Sequence, residues 1–204
     1  ILESTCSSLM YSNAILAKRL FLQQFPEAEV FVVDSTLASI GYGMLAIKAA
    51  EMRDQGKTAP ECVSWLEQNK ININTYYTTD DLTYLFRSGR VSRTQAIVGN
   101  ALSINPILNL DDKGHLIVRE KTRGRKKAVS RIYDIVTRLV VNPGQQTVYI
   151  CHSDCPQEAQ DFSQKLISKI GFKDSFINYI GPTIGSHSGP GLIAAFFYGQ
   201  PRTA

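Results

Sequence analysis

The sequence predicts an α/β protein of two domains, residues 1–70 and 71–204. Three observations support this prediction. The first seventy residues follow the order helix, strand, helix, helix, which is typical of a parallel sheet with helical crossovers. The remainder mixes hairpin signals with helices, which favours an α+β domain with a mixed or antiparallel sheet. With 204 residues, 44% hydrophobic and 20% charged, the chain also has enough apolar side chains to bury a core.

Periodicity and stop signals define the elements of the first domain. Pro26 ends a first stretch of helical spacing, and Gly56 is placed to end a second one. Thr58 and Glu61 form the capping-box pattern that begins a third helix. The predicted elements are helix Met10–Gln24, strand Glu29–Asp34, helix Ala38–Gln55 and helix 59–69.

The second domain starts with a half-buried strand and contains one clear hairpin. An Asp-Asp-Lys-Gly turn lies between the two apolar runs Ile104–Leu110 and His115–Lys121. The remaining predicted elements are strand Ile71–Thr78, helix Asp80–Phe86, helix Lys127–Val140, strand Thr147–Cys151, helix Pro156–Lys169 and strand Phe176–Tyr179.

Composition narrows the class of protein. No apolar run approaches the roughly 20 residues of a membrane-spanning helix, and the N-terminus lacks the pattern of a signal peptide, so we expect an unexported protein. The four cysteines lack the spacing of disulfide scaffolds or of structural zinc sites, which indicates a reducing cytoplasm. The segment Cys151–Cys155 contains cysteine and histidine side chains that can bind metals, but its place between a buried strand and a helix predicts no metal site.

Known catalytic motifs are missing from the sequence. It contains no GxxxxGK[ST] loop, GxGxxG fingerprint, GxSxG elbow or HExxH helix. We therefore expect no catalytic residues, no cofactor and no nucleotide site. A hydrolase built on His187 and a nearby serine remains a minor alternative, because nothing in the spacing supplies an acid partner.

Positive charge is concentrated in one stretch. The formal net charge is +4, and residues 119–127 alone contribute six basic side chains and one acidic one, so the rest of the chain is close to neutral. Such a stretch is typical of a solvated surface, of an anion site or of a nucleic-acid-binding or regulatory module. No aromatic stacking motif accompanies it, which disfavours nucleic acid.

Two further segments are rich in groups that bind anions. Ser4–Ser8 places four hydroxyls in five residues before the first helix, where free N–H groups favour a carboxylate or phosphate, although one serine could simply cap the helix. Ile180–Gly191 combines four glycines, two prolines and three hydroxyls with His187, which predicts a loop whose backbone passes close to a ligand. A structural histidine is the alternative for His187. The arginines of the turn around Arg90 form a third group of side chains that can bind carboxylates or phosphates.

Five segments, taken together, resemble the DegV family of bacterial fatty-acid-binding proteins. They are Val33–Gly43, Leu85–Ser92, Asn105–Leu108, Lys121–Ala128 and Ile184–Gly191. They occur in the family's order and span nearly the whole chain. The resemblance implies a two-domain DegV-like fold that buries a long-chain fatty acid between its domains and holds the carboxylate near the surface.

The resemblance also implies partners and a location. In members called FakB, a separate ATP-dependent subunit, FakA, phosphorylates the bound acid for phospholipid synthesis from exogenous fatty acids, and the carrier itself is no enzyme. We therefore expect a cytoplasmic protein with a FakA-like kinase partner, no nucleic acid partner, no transmembrane segment and at most transient contact with a membrane surface.

Residue roles follow from the same resemblance. Ser4, Thr5, Ser8 and His187 match the carboxylate-binding motifs, although Leu9 and Met10 replace the family's Gly-Thr, which leaves the choice of hydroxyl open. The basic motifs at the carboxylate entrance and kinase-docking surface are matched by Arg90, Arg93, Arg123 and Arg125. The family has a preceding α/β segment whose threonine contacts the carboxylate. The sequence given does not contain it, so residues 1–70 are expected to be the remaining part of an N-terminal domain.

Overall fold

A mixed six-stranded sheet forms the centre of the molecule. A computed structural model of the chain describes residues 1–92 and 104–203. The strand order is β3-β2-β1-β6-β4-β5, in which only β4 and β5 pair in parallel. The strands are β1 Ile73–Thr78, β2 Ile104–Leu110, β3 Leu116–Arg123, β4 Thr147–His152, β5 Asp174–Tyr179 and β6 Ile193–Tyr198. The predicted α/β class is confirmed, with one mixed sheet.

Helices cover both faces of this sheet. Those in the described part are α1 Met10–Gln24, α2 Ile40–Asp54, α3 Ala59–Asn69, α4 Thr83–Arg87, α5 Arg125–Leu139, α6 Pro156–Lys165 and α7 Pro182–Ser188, with short 3-10 turns at Lys70–Asn72 and Pro143–Gln145 and a π turn at Leu166–Ile170. None of these helices combines the length and apolarity that crossing a bilayer requires.

Strand alternation divides the core into two clusters. Successive side chains of a strand point to opposite faces, so that Ile150 and Cys151 of β4 belong to different clusters. The cluster with Ile150 lies beneath α5 and α6, and the one with Cys151 lies beneath α2, α3 and α4. The second of these faces also contains the candidate site.

Several predicted elements form where their local signals place them. Helix α1 has the predicted bounds, and β2 and β3 form the predicted hairpin. The capping box is also confirmed, because Glu61 N–H donates to Thr58 Oγ1 at 3.4 Å and Thr58 N–H donates to Glu61 Oε2 at 2.8 Å. These are elements whose sequence signals involve neighbouring residues only.

The predicted strand Glu29–Asp34 is wrong in extent. Only Asp34 takes part in pairing, through an isolated parallel bridge to Leu2. Leu2 N–H donates to Val33 O at 3.1 Å, and Ser35 N–H donates to Leu2 O at 3.2 Å. An apolar run becomes a strand only where a second backbone lies beside it, and in the described residues that contact is one residue long.

One strand was not assigned from the sequence at all. β6 lies in the middle of the sheet between β1 and β4, and its first five residues are buried. Its run Ile-Ala-Ala-Phe-Phe-Tyr has no polar alternation. A strand covered on both faces loses the period-two signal that sequence patterns rely on.

Side chains on both sides of residue 70 share one apolar cluster. Leu45 and Leu66 belong to the same cluster as Ile73 and Phe196. Helix α1 differs, since none of its residues is buried and its apolar stripe, including Leu20 at 54% exposure, faces solvent. The boundary between domains 1–70 and 71–204 stays a prediction.

Candidate functional site: an apolar cavity beneath α7

An apolar cavity of about 70 Å³ lies between the sheet and its cover of short helices. Its walls come from the start of α2, from β1, from the β2–β3 hairpin, from α4 and α7, and from β6. Lining side chains include Ala38, Tyr77, Leu85, Leu110, Ile184 and Phe196. Such a cavity suits an apolar part of a ligand.

The wall also contains two buried aliphatic hydroxyls without a partner in the described part of the chain. Thr75 and Ser188 are 3% and 1% exposed, and both line the cavity. Neither hydroxyl has a hydrogen-bond partner among the residues that the structure describes. Leaving a buried polar group unpaired costs about 1–3 kcal/mol, so these hydroxyls are candidate contacts for a ligand. Neither was singled out from the sequence, although Ser188 belongs to the glycine-rich segment.

The glycine-rich segment is partly helical, which corrects the prediction of a loop. Pro182 occupies the first turn of α7, where its fixed φ favours a helix and its missing N–H is not needed. Gly189 ends the helix with φ 73° and ψ −177°, a conformation that glycine alone adopts readily. A Cβ at Gly189 would also overlap the ring of Tyr84 on α4. His187 therefore lies on the last turn of a short helix that packs against α4.

His187 is only partly exposed, and its surroundings favour the neutral ring. Burial lowers the pKa of His187, and the positive charge of Arg90 lowers it further. At neutral pH the ring therefore offers one N–H donor. Binding of a carboxylate next to the ring would act in the opposite direction and favour the protonated form.

Polar contacts fix the backbone that follows α7. Ser153 Oγ donates to Gly189 O at 2.6 Å and accepts from Leu192 N–H at 2.9 Å. Thr79 Oγ1 donates to Ser188 O at 3.0 Å. Ser153 and Thr79 follow the ends of β4 and β1, so the sheet itself sets the position of His187 and Ser188. Sequence patterns did not reveal these contacts because each joins distant parts of the chain.

Arg125 also holds this segment rather than facing outward. Its guanidinium pairs with Glu158 and, at 3.1 Å, with Asp80, and it donates to Gly191 O. Although partial burial acts to lower it, the hydrogen bond and charge of Glu158 raise the pKa of Arg125. The side chain is 22% exposed. Its predicted role at an entrance or kinase-docking surface stays a prediction, but its donors are directed to the protein.

The three predicted hydroxyls of the opening segment have different surroundings. Ser4 is fully buried, and its hydroxyl donates to Gly114 O at 3.3 Å. Thr5 Oγ1 donates to Asp34 Oδ2. Ser8 Oγ accepts from Met10 N–H at 3.2 Å and donates to no acceptor within the described ranges. Ser8 is therefore the hydroxyl of the three with a proton left for a ligand.

Arg90 lies between the opening segment and α7. Its guanidinium donates to Ser7 O at 3.5 Å, and its charge acts on both Glu3 and His187. Burial raises the pKa of Glu3, while Arg90 opposes that shift. The predicted carboxylate motifs thus approach one another around Arg90, although binding by these residues stays a prediction.

The other predicted basic residues are less informative. Arg123 is exposed at the end of β3 and forms no ion pair with a residue that the structure describes. Arg93 lies outside the described residues. Within the basic stretch, Arg119 Nε donates to Asn109 Oδ1 at 2.9 Å. As for metals, the described part brings together no group of three His, Cys, Asp or Glu side chains suited to an ion.

Comparisons with known proteins agree with this architecture. The family model described as "Uncharacterised protein, DegV family" matches residues 2–200. A DegV domain-containing protein of Clostridium perfringens is 39% identical over 199 residues, which are 98% of this chain and 68% of that protein. This chain thus spans about two thirds of that relative's length.

Solved structures show the same fold. DegV from Bacillus subtilis, a fatty acid binding protein, matches with a TM-score of 0.80 and 29% identity over 97% of this chain and 69% of its own. The fatty acid kinase (Fak) B3 protein of Streptococcus pneumoniae, loaded with linoleic acid, gives a TM-score of 0.87 over 96% of this chain and 69% of its own. Its identity is 20%, so that likeness concerns the fold alone.

Proposed function

Because this chain belongs to the DegV family, we propose that it binds a long-chain fatty acid and presents the carboxylate for phosphorylation by a separate kinase subunit. The apolar cavity beneath α7, with an unpaired buried hydroxyl next to His187, is the observation that carries the proposal. The protein would act as a carrier without an ATP site of its own.

The acyl chain occupies the cavity. Each methylene transferred from water contributes about 0.8 kcal/mol, so affinity comes mainly from the tail. A space of about 70 Å³ has room for only a few methylene groups, and the cavity must widen when a long acyl chain enters.

The carboxylate lies where α7 meets the opening segment. His187, Ser188 and Ser8 each have a donor available, and Arg90 supplies positive charge without forming an ion pair in the described residues. Hydrogen bonds to a charged group contribute about 1.5–3 kcal/mol each. Together they offset the cost of moving a carboxylate to the edge of an apolar cavity.

Phosphorylation requires a partner. The sequence given has no phosphate-binding loop of the GxxxxGK[ST] type, and the proposal therefore assigns phosphoryl transfer to a separate protein. Arg90 and Arg123 are both exposed, and each offers a positive charge to that partner. The alternative of a nucleic-acid-binding module using residues 119–127 is weaker, because Arg125 and Arg119 direct their guanidinium groups to Glu158 and Asn109.

Lipid extraction tests the first part of the proposal. We expect solvent extraction of the purified protein, followed by mass spectrometry, to yield fatty acid, and delipidated protein to rebind it. His187→Ala, Ser188→Ala and Ser8→Ala should each weaken binding by roughly 10- to 100-fold through loss of one hydrogen bond to the carboxylate. Ser186→Ala is the matched control, because that exposed hydroxyl donates to Thr183 O within α7. Equal affinity of all four variants and the unchanged protein would rule out this headgroup site.

A coupled assay tests the second part. Protein loaded with fatty acid is mixed with ATP and a FakA-like kinase subunit, and acyl phosphate is trapped with hydroxylamine. Arg90→Ala and Arg123→Ala should slow the reaction more than they reduce fatty acid binding. Binding of fatty acid without acyl phosphate formation would disprove the kinase role and leave the carrier function standing.

A further inference from the structure

Thr75 places a polar group deep in the apolar cavity. It lies in the middle of β1, opposite Phe196 of β6, and its side chain points to the cavity side of the sheet. Its hydroxyl is buried and has no partner among the described residues. Valine has nearly the same shape as threonine and would fill this position as well, so packing alone does not explain the hydroxyl.

Along β1, Thr75 lies several residues away from the proposed carboxylate position. Thr75 precedes Thr79 by four residues of extended backbone, which is a distance of about 13 Å. Thr79 donates to the carbonyl oxygen of Ser188, at the α7 end where the carboxylate is proposed to lie. A chain that enters beneath α7 therefore reaches Thr75 well beyond its headgroup and before the end of a long tail.

The surroundings of Thr75 select an uncharged polar group. None of the lining residues that the structure describes carries a charge, and the nearby walls include Tyr77, Leu110 and Phe196. Ser39 also lines the cavity, but its hydroxyl is directed to Cys151 Sγ at 3.8 Å. An alcohol can both donate and accept, so it satisfies the Thr75 hydroxyl in either orientation.

We propose that the cavity prefers a fatty acid with a hydroxyl group at mid-chain, and that Thr75 is the residue that recognises this group. The inference rests on the proposed fatty-acid-binding function and adds the substrate class. A site with a buried unpaired hydroxyl disfavours a ligand that leaves it unpaired, whereas a purely apolar tunnel disfavours a ligand that brings a hydroxyl.

Ricinoleic acid and oleic acid provide a matched pair of probes, because they share chain length and double bond and differ by one mid-chain hydroxyl. Competition against a fluorescent fatty acid on delipidated protein gives their relative affinities. We expect ricinoleic acid to bind about tenfold more tightly, the contribution of one additional hydrogen bond. An apolar tunnel predicts the opposite order.

Two substitutions identify the residue responsible. Thr75→Val keeps the shape and removes the hydroxyl, so oleic acid should become the better ligand. Thr75→Ser keeps the hydroxyl and should preserve the preference for ricinoleic acid. Circular dichroism and thermal unfolding check that both variants fold, and the comparison on the unchanged protein remains decisive if either does not.

The outcomes separate this inference from the proposed function. Tighter or equal binding of oleic acid to the unchanged protein would overturn the hydroxyl preference and leave the carrier function intact. A preference for ricinoleic acid that persists in Thr75→Val would also overturn the assignment to Thr75. Failure of both acids to bind would instead remove the proposed function on which the inference rests.

Discussion

Ser153 connects the end of β4 to the backbone that follows α7. Its hydroxyl donates to Gly189 O at 2.6 Å and accepts from Leu192 N–H at 2.9 Å. Ser153→Ala removes both bonds and leaves two backbone groups without this partner in a region where Gly189 and Leu192 are buried. At about 1 kcal/mol for each bond, with a contribution from the unpaired groups, we expect a loss of about 2–3 kcal/mol.

Thermal and urea unfolding measure this loss. For a chain of this size, the expected decrease corresponds to a fall in Tm of about 4–12 °C. Fatty acid affinity should also fall, because His187 and Ser188 lose their fixed position. Ser186→Ala is the control, since its exposed hydroxyl bonds only within α7, and it should change stability by less than about 0.5 kcal/mol. If Ser153→Ala and Ser186→Ala unfold at the same temperature, the idea that Ser153 fixes this segment is wrong.

Three further predictions concern the same region. Gly189→Ala should destabilise the fold by about 3 kcal/mol, because φ is 73° and the new Cβ meets the Tyr84 ring. The control is Gly185→Ala, whose Cβ meets only Ile180 at 3.5 Å, and it should leave urea unfolding nearly unchanged. A double-mutant cycle with Arg125→Gln and Glu158→Gln should give a coupling of about 1–2 kcal/mol in the free energy of unfolding, since the two side chains are only 22% and 31% exposed. The same cycle at the exposed Arg53–Asp54 pair should give almost no coupling. Burial lowers the pKa of His152, so folding favours its neutral form, and stability that is present above about pH 6.5 should be lost as the pH falls below it. In urea unfolding at pH 8 and pH 5, His152→Gln should reduce this loss of unfolding free energy. An equal loss in His152→Gln and the unchanged protein would contradict the assignment to His152.

Local sequence signals account for the elements that were predicted well. The capping box at Thr58 and Glu61 and the hairpin turn between β2 and β3 each involve residues a few positions apart. The strand over Glu29–Asp34 failed because a strand depends on a partner backbone that the run itself does not encode. β6 was missed for the opposite reason, since burial on both faces removed its alternation.

The candidate site was predictable only in part for the same physical reason. His187 stood out because glycines and prolines are concentrated around it, and these residues act on the local backbone. Ser153, Thr79 and Arg125 act through contacts with residues 36, 109 and 33 positions away, and a single sequence carries no signal of such pairs. Thr75 is an ordinary strand residue until the fold shows that its hydroxyl has no partner in the described residues.

The glycine-rich segment shows how structural and binding roles are divided in this site. Gly189 and Gly191 have positive φ angles, and a Cβ at either position would overlap Tyr84 or Asp80. Asp80 in turn pairs with Arg125, which donates to Gly191 O. The glycines therefore allow close contact with α4 and with the charged network, and this contact holds α7 over the cavity. These polar groups satisfy one another. The Ser188 and Thr75 hydroxyls of the cavity wall have no partner among the described residues, so a ligand that satisfies both must carry two polar groups.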